Sequence, residues 1–158
     1  TIQWDHWWMR CDQCAGAFRF NFDNHSSGRC PVSRFVTDGK GNDHPERYHT
    51  HNYLVNKGFT WGRCLYCRGL CSLEVAGSCY NREQNQMVPH DIFREYYISM
   101  ELFEHEVSDK ARSRSWYLCN KCGVLWRDDG TQKCCTDGNW HVKGQKYFMI
   151  SELGEWDN

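Results

Sequence analysis

The chain has no apolar run near the eighteen or so residues that a membrane-crossing helix needs, so no such span is expected. It has only 3 prolines and no low-complexity tract, which argues against a disordered chain. It lacks a dominant charge: 19 Lys and Arg stand against 20 Asp and Glu, for a formal net charge of -1. Duplex DNA is bound through an excess of basic side chains, so nucleic acid is not expected as a partner. Missing too are a phosphate-cradling glycine loop, a nucleophile–base pair and an open metal triad. Nothing here predicts an enzyme.

Cysteine and tryptophan are in excess, with 11 Cys and 8 Trp in 158 residues. That length suffices for one domain with a real core. Cysteine-rich chains are disulfide scaffolds in oxidising compartments and metal sites in reducing ones. An odd number cannot pair completely within one chain, so the spacing has to decide.

The spacing repeats. Trp8-Met9-Arg10-Cys11-Asp12-Gln13-Cys14 is followed by Gly28-Arg29-Cys30, a histidine-rich stretch and Tyr53-Leu54-Val55. Trp61-Gly62-Arg63-Cys64-Leu65-Tyr66-Cys67 is followed by Gly77-Ser78-Cys79, His90 and Tyr96-Tyr97-Ile98. Trp116-Tyr117-Leu118-Cys119-Asn120-Lys121-Cys122 is followed by Cys134-Cys135, His141 and Tyr147-Phe148-Met149. The leading tryptophans lie 53 and 55 residues apart. Repeats at such a period define the fold before anything else. The chain reads as one domain of three units: 1–57, 58–102 with a polar insertion at 103–115, and 116–158.

Cys-x-x-Cys lets two thiolates grip one zinc at tetrahedral angles, and a third cysteine with a histidine completes a Cys3His set. The expected sets are Cys11, Cys14, Cys30 and His44; Cys64, Cys67, Cys79 and His90; and Cys119, Cys122, Cys135 and His141. In the first, His49 and His51 compete with His44. In the third, Cys134 competes with Cys135. Three zinc ions per chain follow, each closed by four protein donors as in structural sites. Disulfides remain the alternative, although three cysteines per unit would leave one over each time. Redox chemistry would need a thioredoxin-like βαβ context. Haem attachment would need histidine directly after Cys-x-x-Cys, where Ala15, Arg68 and Gly123 stand. Cys71 and one of Cys134 and Cys135 are left over, either as a disulfide or as two buried thiols.

Short strands are expected throughout. Phe18, Phe20 and Phe22 alternate with polar residues, the period of a half-buried strand. Residues 91–110 offer a helical face at Ile92, Tyr96, Met100 and Phe103, with Asp91 as a cap. The match of Tyr96–Leu102 to Tyr147–Leu153 favours a strand over that helix. Trp8, Trp61 and Trp116 are expected to fill a shared core and shield the metals. Trp4, Trp7, Trp126, Trp140 and Trp156 recur in no register and are the candidates for surface binding. His6, His25 and His105 read as plain surface residues.

Trp-x-x-Cys-x-x-Cys-x-x-Leu, Gly-x-Cys, Cys-x5-His and Tyr-x-Leu together resemble a tandem unit found in secreted bacterial and fungal proteins of largely unassigned function. The match runs over essentially the whole chain and includes Cys30-Pro31 and Cys135–His141. Ala17 departs from it at the leucine position, as do Gln132 and Lys133 before the third cysteine pair.

The expected fold is therefore all-β: three pseudo-symmetric, zinc-stapled repeats closing like a β-trefoil, or a linear array of three zinc-ribbon-like modules. The expected role is a non-enzymatic extracellular binding or structural module, with a glycan or a protein as ligand. A secreted, toxin-like effector and a self-assembling subunit of an extracellular filament are the alternatives. The glycosylation sequon Asn24-His25-Ser26 points toward secretion, whereas Thr1 in place of Met at the start suits a processed and a trimmed chain equally.

Overall fold

The computed structural model describes residues 4–11, 13–20, 30, 53–58, 61–75, 77–81, 86–99, 111–128, 130, 135 and 139–151. Among them every regular element is a strand. The first unit contributes β1 (Trp4–Arg10), β2 (Ala17–Arg19) and β3 (Tyr53–Gly58). The second contributes β4 (Trp61–Cys64), β5 (Leu70–Ser72), the hairpin β6 (Ser78–Asn81) and β7 (Gln86–Pro89), and β8 (Ile92–Ser99). The third contributes β9 (Ala111–Cys119), β10 (Leu125–Arg127) and β11 (Lys143–Ser151).

Each unit builds the same local motif. The tryptophan-led strand runs into the Cys-x-x-Cys turn and a short strand returns antiparallel to it, as β1–β2, β4–β5 and β9–β10. The unit's last strand pairs with the other edge, as β1–β3, β4–β8 and β9–β11. The middle strand is hydrogen-bonded on both edges, so its backbone groups need no water.

The three motifs merge at β3. One edge of β3 holds β1, through Trp8↔Tyr53. The other is shared by β11, through Ile150↔Leu54, and β8, through Asn56↔Ser99. Among the described residues the sheet does not close into a barrel.

Residues 92–99 are strand, not helix. Both edges of β8 are taken, by β3 and β4. Ile92, Phe93, Tyr96, Tyr97 and Ile98 are residue types that suit a pleated surface. That pairing between distant segments outweighs the helical period. Residues 100–110 lie outside the described residues, and the polar stretch read as 103–115 ends inside β9.

The short strands are buried on both faces. Ala17, Leu70 and Leu125 enter one core with Trp8, Trp61, Trp116, Leu118 and Met149. The repeated tryptophans thus meet in one place, and Ala17 sits where the other units have leucine. The next residue of each strand, Phe18, Cys71 or Trp126, turns toward the cysteines.

The units also touch in a cycle. Single antiparallel bridges join Phe18 to Gly69, Cys71 to Val124 and Trp126 to Gly16. Each runs from the fourth residue after one Cys-x-x-Cys to the second residue after the next. Backbone amides follow the same order: Arg19 donates to Arg68 O at 3.0 Å, Ser72 to Gly123 O at 2.9 Å, and Arg127 to Ala15 O at 3.0 Å. The third unit is therefore bonded directly to the first.

Candidate metal centres

The three Cys-x-x-Cys turns share one backbone geometry. Amides of Ala15, Arg68 and Gly123 donate to the carbonyls of Cys11, Cys64 and Cys119 at 2.8, 2.9 and 2.9 Å. Amides of those cysteines donate in turn to Gly16, Gly69 and Val124 at 2.9, 3.1 and 3.1 Å. Closing so tight a turn needs a left-handed residue after the second cysteine. Ala15, Arg68 and Gly123 have φ of 63°, 56° and 78°. Only glycine takes that conformation without steric cost.

The turn also aims amides at sulfur. Gln13 and Cys14 N–H point at Cys11 Sγ at 3.3 and 3.4 Å, and Cys122 N–H at Cys119 Sγ at 3.4 Å. Gly16 and Gly69 N–H reach Cys14 and Cys67 Sγ, both at 3.4 Å. Such donors favour the thiolate, the form that binds metal.

Three groups of donors result: Cys64, Cys67, Cys79 and His90; Cys119, Cys122, Cys135 and His141; and Cys11, Cys14 and Cys30. All the cysteines in them are buried. The third cysteine of each group lies 3.7 Å (Cys11–Cys30) or 3.8 Å (Cys64–Cys79, Cys119–Cys135) from the first, sulfur to sulfur. His90 and His141 present Nδ1 at 3.7 Å from Cys67 and Cys122 Sγ. A disulfide would hold the sulfurs at about 2.05 Å. A tetrahedral zinc with sulfur at about 2.3 Å and nitrogen at about 2.05 Å spaces sulfurs by about 3.8 Å, and sulfur from nitrogen by about 3.6 Å. The three groups can hold metal ions, and their spacing is compatible with zinc. The ten described cysteines form no disulfide.

Electrostatics agree with that spacing. Hydrogen bonds from Cys64, then Cys71 and Cys79, hold the Cys67 thiol well below its ordinary range. Cys79 is pushed up by its hydrogen bonds to Cys64 and Cys67, and by burial. In the third group Cys119 is lowered by hydrogen bonds with Cys122 and Cys135, while Cys122 is raised by those with Cys119 and Cys135 and by burial. Burial pulls the His90 imidazole down, but the Cys67 charge and the Cys64 hydrogen bond outweigh it and carry it to about 11. His141 rises to about 9 against the same burial, chiefly through hydrogen bonds to Cys119 and Cys135. Crowded thiols cannot all ionise without a cation, and the histidines are drawn toward positive charge. A bound metal satisfies both.

Each histidine is fixed from outside its own unit. His90 Nε2 donates to Cys122 O at 2.7 Å, and His141 Nε2 to Cys14 O at 2.7 Å. With Nε2–H committed to the carbonyl, Nδ1 is the nitrogen that faces the cysteines, and a metal there would displace its proton. Trp126 stacks on His141, with centroids 4.8 Å apart and planes at 18°.

The residues expected in the second and third sets come together. Of the first set, Cys11, Cys14 and Cys30 converge, whereas His44, His49 and His51 lie outside the described residues. Cys135 fills the third set, and Cys134 lies outside. Cys71 is a buried thiol whose S–H donates to Gly69 O at 3.4 Å. It occupies the packing position of Phe18 and Trp126.

Trp126 was expected at a binding surface and is instead 5% exposed, because its strand is covered on both faces. Trp140 is exposed, at 63%. Trp4, Trp7, Trp156, His6, His25 and His105 have no described side chain. Gly77 opens Gly-x-Cys for a reason that lies in the neighbouring unit. A Cβ there would land inside the Cys122 carbonyl group. The recurrence of Gly28 and Gly77 was the available signal.

No helix among the described residues is long and apolar enough to cross a membrane. Comparison with protein-family models, curated proteins and solved structures finds no match. The resemblance to a secreted tandem-repeat family therefore rests on the motif alone.

Proposed function

We propose that this chain is a non-enzymatic extracellular module, binding or structural, stapled by three zinc ions in Cys3His sets. The observation that carries it is the recurrence, in three groups, of thiol spacings that fit a tetrahedral metal and not a disulfide. With three sulfurs and an imidazole supplied by the protein, no coordination position is left for a substrate, the mark of a structural site. His44 is proposed as the fourth donor of the first set.

The cyclic bridges support a closed, trefoil-like ring over a linear array, since a linear array has no reason to bond its third unit to its first. Exposed Trp140, Val142, Leu65 and Tyr66 are the side chains offered to a glycan or protein ligand. The even charge supports neither nucleic acid nor an anionic surface as partner.

Native mass spectrometry with elemental analysis tests the reading. Three zinc ions per chain are expected, falling to two in His141→Ala with a lower melting temperature. A metal-free protein with no titratable thiols would overturn it. A glycan array tests the ligand class, and a blank array moves the proposal to protein partners.

A further inference from the structure

The two histidines whose side chains are described each touch two units. His90 has Nδ1 at Cys67 in the second group and Nε2 on the carbonyl of Cys122, a donor of the third. His141 has Nδ1 at Cys122 and Nε2 on the carbonyl of Cys14, a donor of the first. The links run head to tail: second group, His90, third group, His141, first group. In both, the acceptor is the second cysteine of the neighbouring turn, the residue that precedes the left-handed position.

We infer that the three metal sites are thermodynamically coupled along this chain, with His90 and His141 as positioning residues for the turn of the next unit. The inference rests on the proposed metal reading. A metal on Nδ1 withdraws electron density from the ring and makes Nε2–H a stronger donor. The bond to the carbonyl then holds the neighbouring turn in its metal-ready geometry. Coupling is reciprocal, so an ordered turn at Cys14 also presents a fixed acceptor that orients His141 toward its own metal. Partners of ligand histidines outside the coordination shell typically change metal affinity about 10–100-fold. Here the partner is part of another metal site, so that effect passes from site to site. Gly77 adds a second contact on the same path: it packs against the Cys122 carbonyl and accepts the His90 amide at 3.4 Å.

The test separates ligation from coupling. His141→Cys keeps a fourth donor for the third site and removes the Nε2 bond to Cys14 together with the ring on which Trp126 stacks, a loss that His90→Cys does not share among the described residues. Zinc-loaded protein is challenged with a chelator and N-ethylmaleimide, and alkylation is followed at each cysteine by peptide mass spectrometry. Wild-type and variant should each bind three zinc ions. In the variant, Cys11, Cys14 and Cys30 should lose protection about tenfold faster, with Cys64, Cys67 and Cys79 unchanged. His90→Cys should move the effect to Cys119, Cys122 and Cys135, and serves alone if the first variant does not fold. Unchanged rates at the neighbouring site in a three-zinc variant overturn the coupling and leave the metal reading intact. Equal acceleration at all three sites also overturns it, because that is general destabilisation. A wild-type chain that binds no metal removes both.

Discussion

The second and third units hold the same donor set in the same turn, yet they cover it differently. In the third, glycine takes the left-handed position and Trp126 lies flat on His141. In the second, Arg68 takes that position and spends its Nε–H on Arg19 O at 2.5 Å, while Cys71 stands where Trp126 does. The pair inside the second turn is Leu65 and Tyr66, both exposed; in the third it is exposed Asn120 and half-buried Lys121, with Lys121 Nζ bonded to Trp140 O at 3.1 Å. Donor geometry is set by backbone amides and one dihedral angle, so it tolerates wide change around it. What agrees between the units is scaffold, and what differs is the cover laid over it.

The largest test of that comparison is in the shared core. Trp116→Ala should cost about 3–5 kcal/mol by denaturant unfolding, as buried Trp truncations do. Trp61→Ala, whose ring meets Tyr147 edge-on at 5.3 Å, should fall at the lower end of that range. The gap of about 1 kcal/mol is the buried Ser113 hydroxyl, which receives the Trp116 Nε1–H at 2.8 Å and would lose that partner. Equal costs would show that this hydrogen bond adds nothing net.

Next in size, Gly77→Ala should cost about 2–3 kcal/mol, because a Cβ meets backbone that cannot step aside. Although Gly77 belongs to the second unit, metal release should quicken at the third. Release quickened only at the second site would contradict the docking of one unit on the next. Trp126→Leu should cost about 2 kcal/mol and speed chelator release from the third site relative to the second, where no ring stacks on His90 among the described residues. Site-resolved thiol alkylation reads both.

The smallest effects concern the left-handed position. Gly123→Ala should destabilise by about 1–2 kcal/mol, since φ is +78° and a Cβ would lie 3.2 Å from Val75 O. Ala15→Gly should have the opposite sign, stabilising by about 0.5 kcal/mol after the entropy of a more flexible unfolded chain is offset. Melting temperatures decide the signs, and a loss at Ala15→Gly would mean that its buried methyl outweighs the strain.

Much of the donor set was legible because thiolate chemistry constrains spacing locally. Cys-x-x-Cys is one turn, and its recurrence with Trp8, Trp61 and Trp116 marks the units without knowledge of the fold. The strand at residues 96–99 was legible through the match of Tyr96–Leu102 to Tyr147–Leu153, where the helical period alone would have misled, but its start at Ile92 was not. Trp126 and Cys71 were not legible. Their burial depends on bridges to Gly16 and Val124, and no local pattern records which unit lies beside which.

The sequence by itself determined the recurrence of the motif, nine of the cysteine placements and the histidine that closes each of two groups, because those follow from short-range geometry. Only the tertiary structure decided that the units touch in a cycle, that His90 and His141 each reach into a neighbour's turn, and that Trp126 is hidden. Those outcomes come from hydrogen bonds between segments far apart in the chain, whose partners are chosen by the pairing of whole strands and not by any residue's own preference.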